Sequence, residues 1–156
     1  VTNDPNIAEE LHFIQRSGGA IPSPFDCWIL LRSTKTMALR VQKQSDNALE
    51  LAQRLNASSF VDEVIYPGLE NHFQHELAKK QQSTPDGNCI FGSMISLRCG
   101  SIEKRDSFLS NLRLFSLAES LGGVESLVCV PYGMTHASVP PDMKISMGHG
   151  LKLVQI

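Results

Sequence analysis

A short run of residues, Glu119-Ser120-Leu121-Gly122-Gly123, combines groups that can bind a small polar ligand. A serine hydroxyl both donates and accepts hydrogen bonds, and a carboxylate accepts strong hydrogen bonds from a cationic partner. The two glycines lack a Cβ atom, so a ligand or another backbone segment can approach closely there. On residue types alone, Ser120 is more typical of a turn than of a ligand-binding site. Glu119 is as typical of an exposed charge at a strand end as of a ligand-binding residue.

Other residues with reactive side chains stand in less specific patterns. Lys35 follows Ser33-Thr34, which superficially resembles the setting of lysines that form Schiff bases, but short patterns of this kind mislead and a solvated lysine is the ordinary interpretation. His136 lies among small and apolar residues, where a hydrogen-bonded packing role is commoner than catalysis, and Thr135 and Glu125 are interpreted in the same way.

The cysteines and the remaining histidines give no strong metal or disulfide pattern. His72-x-x-His75 supplies two ligands, and no third or fourth ligand follows at a metal-binding spacing. The cysteines contain no C-x-x-C pair, and a chain of 156 residues with ordinary apolar content does not need disulfides to fold. We therefore predict no metal site and four reduced thiols, at Cys27, Cys89, Cys99 and Cys129.

These residues need helices and strands to position them, and the first third of the chain predicts helices. Asn3 or Asp4 before Pro5 is a typical helix start, and Gly18-Gly19 is a typical stop. Ser23 can cap the next helix. Apolar positions from Phe25 to Leu55 favour one long helical stretch with bends.

The rest of the chain alternates between strand and helix patterns. β-branched and aromatic residues at 60–65 predict a strand, and short apolar runs predict further strands at 94–99, 114–118 and 127–130. Helical patterns cover 71–82 and 102–112, and the turn residues of 82–88 predict a loop. This order predicts an α/β or α+β fold with a small sheet.

Charge and hydropathy restrict the classes of partner. The 14 basic and 16 acidic residues leave a net charge of −2, which gives no long-range field for nucleic acid or an anionic membrane. The apolar runs are far shorter than the roughly 20 residues that a membrane span needs. We expect a cytoplasmic protein, and since the chain opens on Val1 we expect it to be a fragment or a trimmed product.

Several segments together resemble one enzyme family. Arg113 to Leu127, which contains Ala-Glu-Ser-Leu-Gly-Gly, and Pro131 to Pro140 resemble the carboxyl-terminal part of the Cys/Met-metabolism enzymes that depend on pyridoxal phosphate (PLP). Gly19 to Cys27, Arg32 to Thr36 and Ile65 to Leu69 fit the same family in the same order. The resemblance covers about residues 1–140 and is strongest to the cystathionine gamma-lyase and gamma-synthase branches.

The resemblance implies a fold and a cofactor. It implies the carboxyl-terminal domain of a fold-type I PLP-dependent transferase: residues 1–22 would end the large PLP-binding domain, and residues 23–156 would form a small α/β domain, entered through a long connecting helix and truncated at its end. PLP chemistry needs a lysine that holds the cofactor. The family places that lysine upstream of Val1, so we expect no catalytic and no cofactor-binding residue in this chain.

The resemblance also implies roles for four residues. Ser120, with Leu121 beside it, matches the serine that binds the carboxylate of the amino-acid substrate, and Glu119 matches an acidic position near the distal end of the substrate. The family's carboxylate-binding arginine lies in a segment that this sequence replaces with His149-Gly-Leu-Lys-Leu-Val-Gln-Ile156. Lys152 takes the arginine's place, although an ammonium lacks the bidentate guanidinium fork.

The predicted function is a carbon–sulfur lyase that acts on cystathionine by γ-elimination, working as a homotetramer on sulfur-containing amino acids. This chain alone is expected to be inactive. Two alternatives stay open: a cystathionine gamma-synthase, and a non-catalytic domain that associates with a full-length homologue. The acidic residue at Glu119 disfavours cystathionine beta-lyase and methionine gamma-lyase.

Overall fold

The computed structural model describes residues 1–156, which form two compact units, residues 1–38 and residues 39–156. The first unit contains helices α1 (Pro5–Gly18) and α2 (Pro24–Thr34), and helix α3 (Met37–Asn56) begins at its end. The domain border expected between residues 22 and 23 stays a prediction.

Capping side chains define the ends of the first two helices. The carboxylate of Asp4 accepts hydrogen bonds from the backbone N–H of Asn6 at 2.9 Å and of Ile7 at 3.4 Å, and α1 stops at Gly19 with a left-handed φ of 69°. Ser23 and Asp26 form a reciprocal capping box at the start of α2. Both predicted helix starts and the predicted glycine stop are confirmed.

The long helical stretch predicted from Phe25 to Leu55 is divided into α2 and α3 by a turn at residues 35–36. Hydroxyl side chains crowd this junction. Thr34 Oγ1 donates to the Leu30 carbonyl at 2.7 Å, and Thr36 Oγ1 donates to the Ser33 carbonyl at 3.3 Å. Such side chains compete with the helical hydrogen-bond ladder, which accounts for an interruption that apolar spacing does not reveal. No helix combines the length and the unbroken apolarity that crossing a bilayer requires.

The second unit is built on short strands. Strands β1 (Val61–Ile65), β2 (Ser96–Cys99), β3 (Ser116–Leu117), β4 (Leu127–Val128) and β5 (Leu153–Gln155) follow in chain order. Three of them form an antiparallel sheet in the order β1-β2-β5, and β3 pairs with β4 in parallel. An antiparallel bridge from Cys129 to Gln155, with N–O distances of 2.8 and 2.9 Å, connects the end of β4 to β5.

Helices α4 (His75–Gln81), α5 (Ile102–Ser110) and α6 (Pro141–Ser146) complete the second unit. The helix predicted over 71–82 is therefore shorter than expected, and its first residues form turns. The predicted strands near 60–65 and 94–99 and the helix near 102–112 are confirmed. The element order expected from sequence omits α6 and β5, which both follow Pro140.

The core of the second unit lies between α3 and the antiparallel sheet. Ala48 and Ala52 of α3 are buried together with Val64, Tyr66, Ile95, Leu97, Cys99, Val128 and Val154. The phenol of Tyr66 donates to the Gly92 carbonyl at 2.9 Å, and burial raises its pKa above the usual value. The backbone N–H of Phe91 donates to buried Ser45 Oγ at 3.0 Å. Helix α3 is thus fixed to the core by packing and by a partly buried hydrogen bond.

Candidate functional site

The loop between β3 and β4, residues 118–126, carries three of the four predicted site residues. Two backbone hydrogen bonds close its base: Ser116 N donates to the Ser126 carbonyl, and Ala118 N donates to the Val128 carbonyl, both at 3.0 Å. We call residues 119–125 the site loop. Its two ends are fixed by the parallel strand pair, and all seven of its residues are exposed.

The side chains of the site loop face solvent. Glu119, Ser120 and Leu121 are exposed and consecutive, with Leu121 80% exposed. Gly122 has a φ of 86°, in the left-handed region that favours glycine, so the chain can turn sharply after them. The arrangement presents a carboxylate, a hydroxyl and an apolar side chain on one accessible turn, which suits recognition of a small polar molecule with an apolar part.

Glu119 also acts on a buried neighbour. Burial raises the pKa of the Cys129 thiol, and the negative charge of Glu119 raises it further. The carboxylate therefore lies within electrostatic reach of the residue that follows β4. Both effects favour the thiol over the thiolate, so Cys129 is poorly suited to act as a nucleophile.

The interactions of Lys152 are with residues outside the site loop. Its carbonyl accepts a hydrogen bond from Cys99 N at 3.1 Å, immediately before β5. Its ammonium acts on Glu103 in the first turn of α5: the pKa of that carboxyl is lowered by the Ser101 hydroxyl and a backbone N–H, and further by the charge of Lys152. No hydrogen bond or ion pair joins Lys152 to Glu119 or Ser120. Its role in binding a carboxylate stays a prediction.

A residue that the sequence patterns do not single out contacts the site loop. Gln44 Nε2, on α3, donates to the Gly123 carbonyl at 3.3 Å, across 79 residues of sequence. An isolated glutamine on an amphipathic helix carries no local signal of such a contact. Only the tertiary fold brings the two together.

A buried lysine and a stacked pair of histidines lie in the segment between β4 and β5. Lys144 is only 5% exposed, donates to the carbonyls of Tyr132 at 3.0 Å and Ala137 at 3.1 Å, and lies 4.4 Å from the centre of the Tyr132 ring. The rings of His136 and His149 stack with centroids 4.2 Å apart, and the buried Nδ1 of His149 has no hydrogen-bond partner. Burial, followed by the neighbouring His136, lowers the pKa of His149. The sequence pattern favours a packing histidine at His136, and the structure places it in a stacked pair.

The other histidine pair makes local contacts. His75 Nδ1 lies 2.8 Å from the Pro67 carbonyl, and His72 Nδ1 accepts a hydrogen bond from Gln74 N at 3.2 Å. No group of three or more His, Cys, Asp or Glu side chains is arranged to hold a metal ion. The four cysteines are free thiols: Cys27 is exposed, Cys89 is half-buried, and Cys99 and Cys129 are buried.

Residues 39–156 form a small mixed α/β domain. A family model described as Cys/Met metabolism PLP-dependent enzyme matches residues 1–156. The chain therefore belongs to this family, and the resemblance read from its motifs is confirmed.

Relatives and solved structures agree with this assignment. The chain is 45% identical over 156 residues to the cystathionine gamma-lyase of Bacillus subtilis, covering 100% of this chain and 40% of that protein. It is 46% identical over 147 residues to a cystathionine beta-lyase of Lactococcus lactis subsp. cremoris, covering 94% and 37%. The structure matches a cystathionine gamma synthase from Xanthomonas oryzae pv. oryzae with a TM-score of 0.83 and 35% identity, covering 99% and 39%.

The chain thus spans about two fifths of the length of these relatives. The predicted fold class, a small α/β domain of a fold-type I PLP enzyme, is confirmed. Identity alone does not separate gamma-lyase from beta-lyase, because relatives of both names match equally well. Members of the family carry out PLP-dependent chemistry on sulfur-containing amino acids.

Two lysines, Lys35 and Lys144, are considered as residues that could bind PLP covalently, and neither is suited to it. Lys144 is the buried one, and its ammonium already donates to two carbonyls beside an aromatic ring. Lys35 is exposed at the turn between α2 and α3. Neither provides an accessible, desolvated amine of the kind that covalent cofactor chemistry needs. The placement of the cofactor lysine upstream of Val1 stays a prediction.

Proposed function

We propose that the chain is part of a trans-sulfuration enzyme that cleaves cystathionine by γ-elimination to cysteine, 2-oxobutyrate and ammonia. The observation that carries this proposal is the site loop, where Glu119 and Ser120 stand side by side and exposed in a chain 45% identical to a cystathionine gamma-lyase. PLP supplies the electron sink for this chemistry when it is bound. The residues of this chain supply recognition of the substrate.

The proposed roles follow from the chemistry of each side chain. The Ser120 hydroxyl donates to the carboxylate of the amino acid, a charge-assisted hydrogen bond. The Glu119 carboxylate, one residue away, accepts from the distant amino group of cystathionine. Leu121 covers the apolar part of the substrate. Lys152 is assigned a share in carboxylate binding from its place in the family's order, and its charge interaction with Glu103 competes with that role.

A second candidate is γ-replacement, the reaction of a cystathionine gamma-synthase. It is supported by the match to the Xanthomonas synthase, whose TM-score of 0.83 is as high as the 0.82 of a Lactobacillus plantarum cystathionine gamma-lyase. Cystathionine is the substrate of γ-elimination and the product of γ-replacement, so the proposed roles of the site loop apply to both reactions.

The family also leads us to propose a homotetramer located in the cytoplasm, in which the missing groups of each site come from outside these 156 residues. The alternative is a non-catalytic domain that associates with a full-length homologue. We therefore propose that the 156-residue chain releases no product by itself, even when PLP is added.

Product analysis on cystathionine with the complete gene product tests the proposal. Release of 2-oxobutyrate with cysteine is expected; pyruvate would show β-elimination, and no 2-oxo acid at all would contradict lyase activity. Ser120→Ala should raise KM for cystathionine about ten- to a hundredfold and change kcat less, because a hydrogen bond to a charged group contributes about 1.5–3 kcal/mol. Ser126→Ala is the matched control: Ser126 is exposed at the other end of the loop and should keep the wild-type KM.

A further inference from the structure

The site loop is tied to the rest of the molecule at its base and near its tip. The two ladder hydrogen bonds at Ser116 and Ala118 close the base, and the Gly123 carbonyl accepts a hydrogen bond from Gln44 Nε2 at 3.3 Å. A loop held only at its base can change the direction of its tip. The contact with Gln44 is therefore a point at which the tip is fixed.

We propose that Gln44 is a positioning residue, which holds the Glu119–Gly123 turn in the orientation that binds the substrate carboxylate. This inference rests on the proposed function of the site loop. Gln44 acts without touching the substrate. Its effect passes through the Gly123 backbone, three residues after Ser120.

The platform that carries Gln44 is rigid. The next residue along α3, Ser45, is buried and accepts a hydrogen bond from Phe91 N at 3.0 Å, and Ala48 and Ala52 of the same helix lie in the core. Gln44 itself is half-buried. Because this helix is held in the core, its hydrogen bond to Gly123 restricts the movement of an otherwise exposed turn.

The expected size of the effect follows from one hydrogen bond. Loss of a neutral side-chain hydrogen bond weakens an equilibrium by about three- to tenfold. Because the contact orients the turn before substrate arrives, its loss should appear as weaker binding. We expect KM for the amino-acid substrate to rise about three- to tenfold and kcat to stay within about twofold.

Gln44→Met tests the inference in the complete gene product, because methionine has nearly the same length and no donor. Gln42→Ala is the matched control: Gln42 lies on the same helix, is also half-buried, and donates to Asp46 at 2.8 Å instead of to the loop. KM and kcat are measured together with amide hydrogen exchange of residues 119–125 and the unfolding midpoint. Gln44→Met should raise KM and speed exchange in the loop at an unchanged midpoint, and Gln42→Ala should change none of them.

The readouts separate the two proposals. If Gln44→Met keeps wild-type exchange in residues 119–125, the positioning role is overturned, whatever the activity does. If exchange rises while KM stays at the wild-type value, Gln44 fixes the turn but the turn does not set substrate affinity, which overturns the inference as stated. If Ser120→Ala leaves KM unchanged, the proposed function of the site loop fails, and the exchange measurement still decides whether Gln44 holds the turn.

Discussion

Two adjacent glycines in the site loop have different physical reasons to be glycine. Gly122 adopts a φ of 86°, and a Cβ there would meet no atom within 4 Å, so only backbone strain opposes a side chain. At Gly123 a Cβ would collide with the carboxylate end of Glu125, which is flexible and exposed and can move away. The backbone conformation requires a glycine at position 122, whereas a side chain at position 123 needs only a movement of Glu125.

We therefore predict that Gly122→Ala is more destabilising than Gly123→Ala. The left-handed conformation costs an L-residue about 1–2 kcal/mol, which should reduce the free energy of unfolding by that amount or rearrange the turn. Urea unfolding of the two variants measures the difference. A larger loss for Gly123→Ala would mean that the Glu125 contact, and not the φ of Gly122, shapes the turn.

The residues of the candidate site can be proposed from sequence only where they are close together in the chain. Glu119, Ser120 and Leu121 are consecutive, so their common exposure follows once the loop is recognised. Gln44 is not predicted, because its contact with Gly123 spans 79 residues and is made by an unremarkable helix position. Lys152 is placed by family order alone, and order does not reveal that its charge acts on Glu103.

Secondary-structure elements that begin or end at a short sequence motif are predicted from sequence. Elements that form only by pairing with distant residues are not. The caps of α1 and α2 are short motifs, and the structure has them where the sequence puts them. Strand β5 is only three residues long and exists because Leu153 and Val154 pair with β2 and because Gln155 pairs with Cys129. The three residues of β5 contain no local pattern that predicts pairing with strands so distant in the sequence.

The segment that leads into β5 should be sensitive to acid through His149. Its Nδ1 is buried without a partner, its ring stacks on His136 at 4.2 Å, and its backbone N–H donates to the Lys144 carbonyl at 2.8 Å. Burial first, and then the His136 ring, lower the pKa of His149 below its usual value of 6.5. Between the two values the unfolded chain binds a proton that the folded chain resists, so stability present above pH 6.5 is lost as the pH falls below it.

We predict that His149→Gln flattens the fall in unfolding free energy as the pH drops below about 6.5, because glutamine does not titrate. Urea unfolding at several pH values measures the slope for both proteins. The same comparison at about pH 8, above the window, is the control and reports only the packing change. A variant slope equal to that of the wild type would show that the pair does not sense acid.

At the scale of the whole molecule, apolar surface is distributed unevenly between the two units. Residues 1–38 contain no buried side chain, and many of their large apolar residues are exposed, among them Leu31 at 68% and Trp28 at 57%. The buried core belongs to the second unit. The family resemblance predicts the fold class correctly. The division at residue 38 depends on which residues are buried in the core, and the periodicity of apolar residues does not show which ones are.

Deleting residues 1–38 should therefore leave the second unit folded. No core residue is removed, so the free energy of unfolding of residues 39–156 should change by no more than about 0.5 kcal/mol. Removal of the exposed apolar side chains should lower self-association and dye binding. Circular dichroism follows the unfolding, because the single tryptophan, Trp28, is lost with the deleted residues.

A matched variant of the whole chain separates the two effects of the deletion. Leu30→Ser with Leu31→Ser removes exposed apolar surface from α2, where the two side chains are 66% and 68% exposed, and keeps the backbone intact. This variant should reduce self-association in analytical ultracentrifugation without lowering the unfolding midpoint, because exposed positions contribute little to stability. If residues 39–156 lose cooperative unfolding, the first unit supports the core of the second. The two units would then have to be treated as one folding unit.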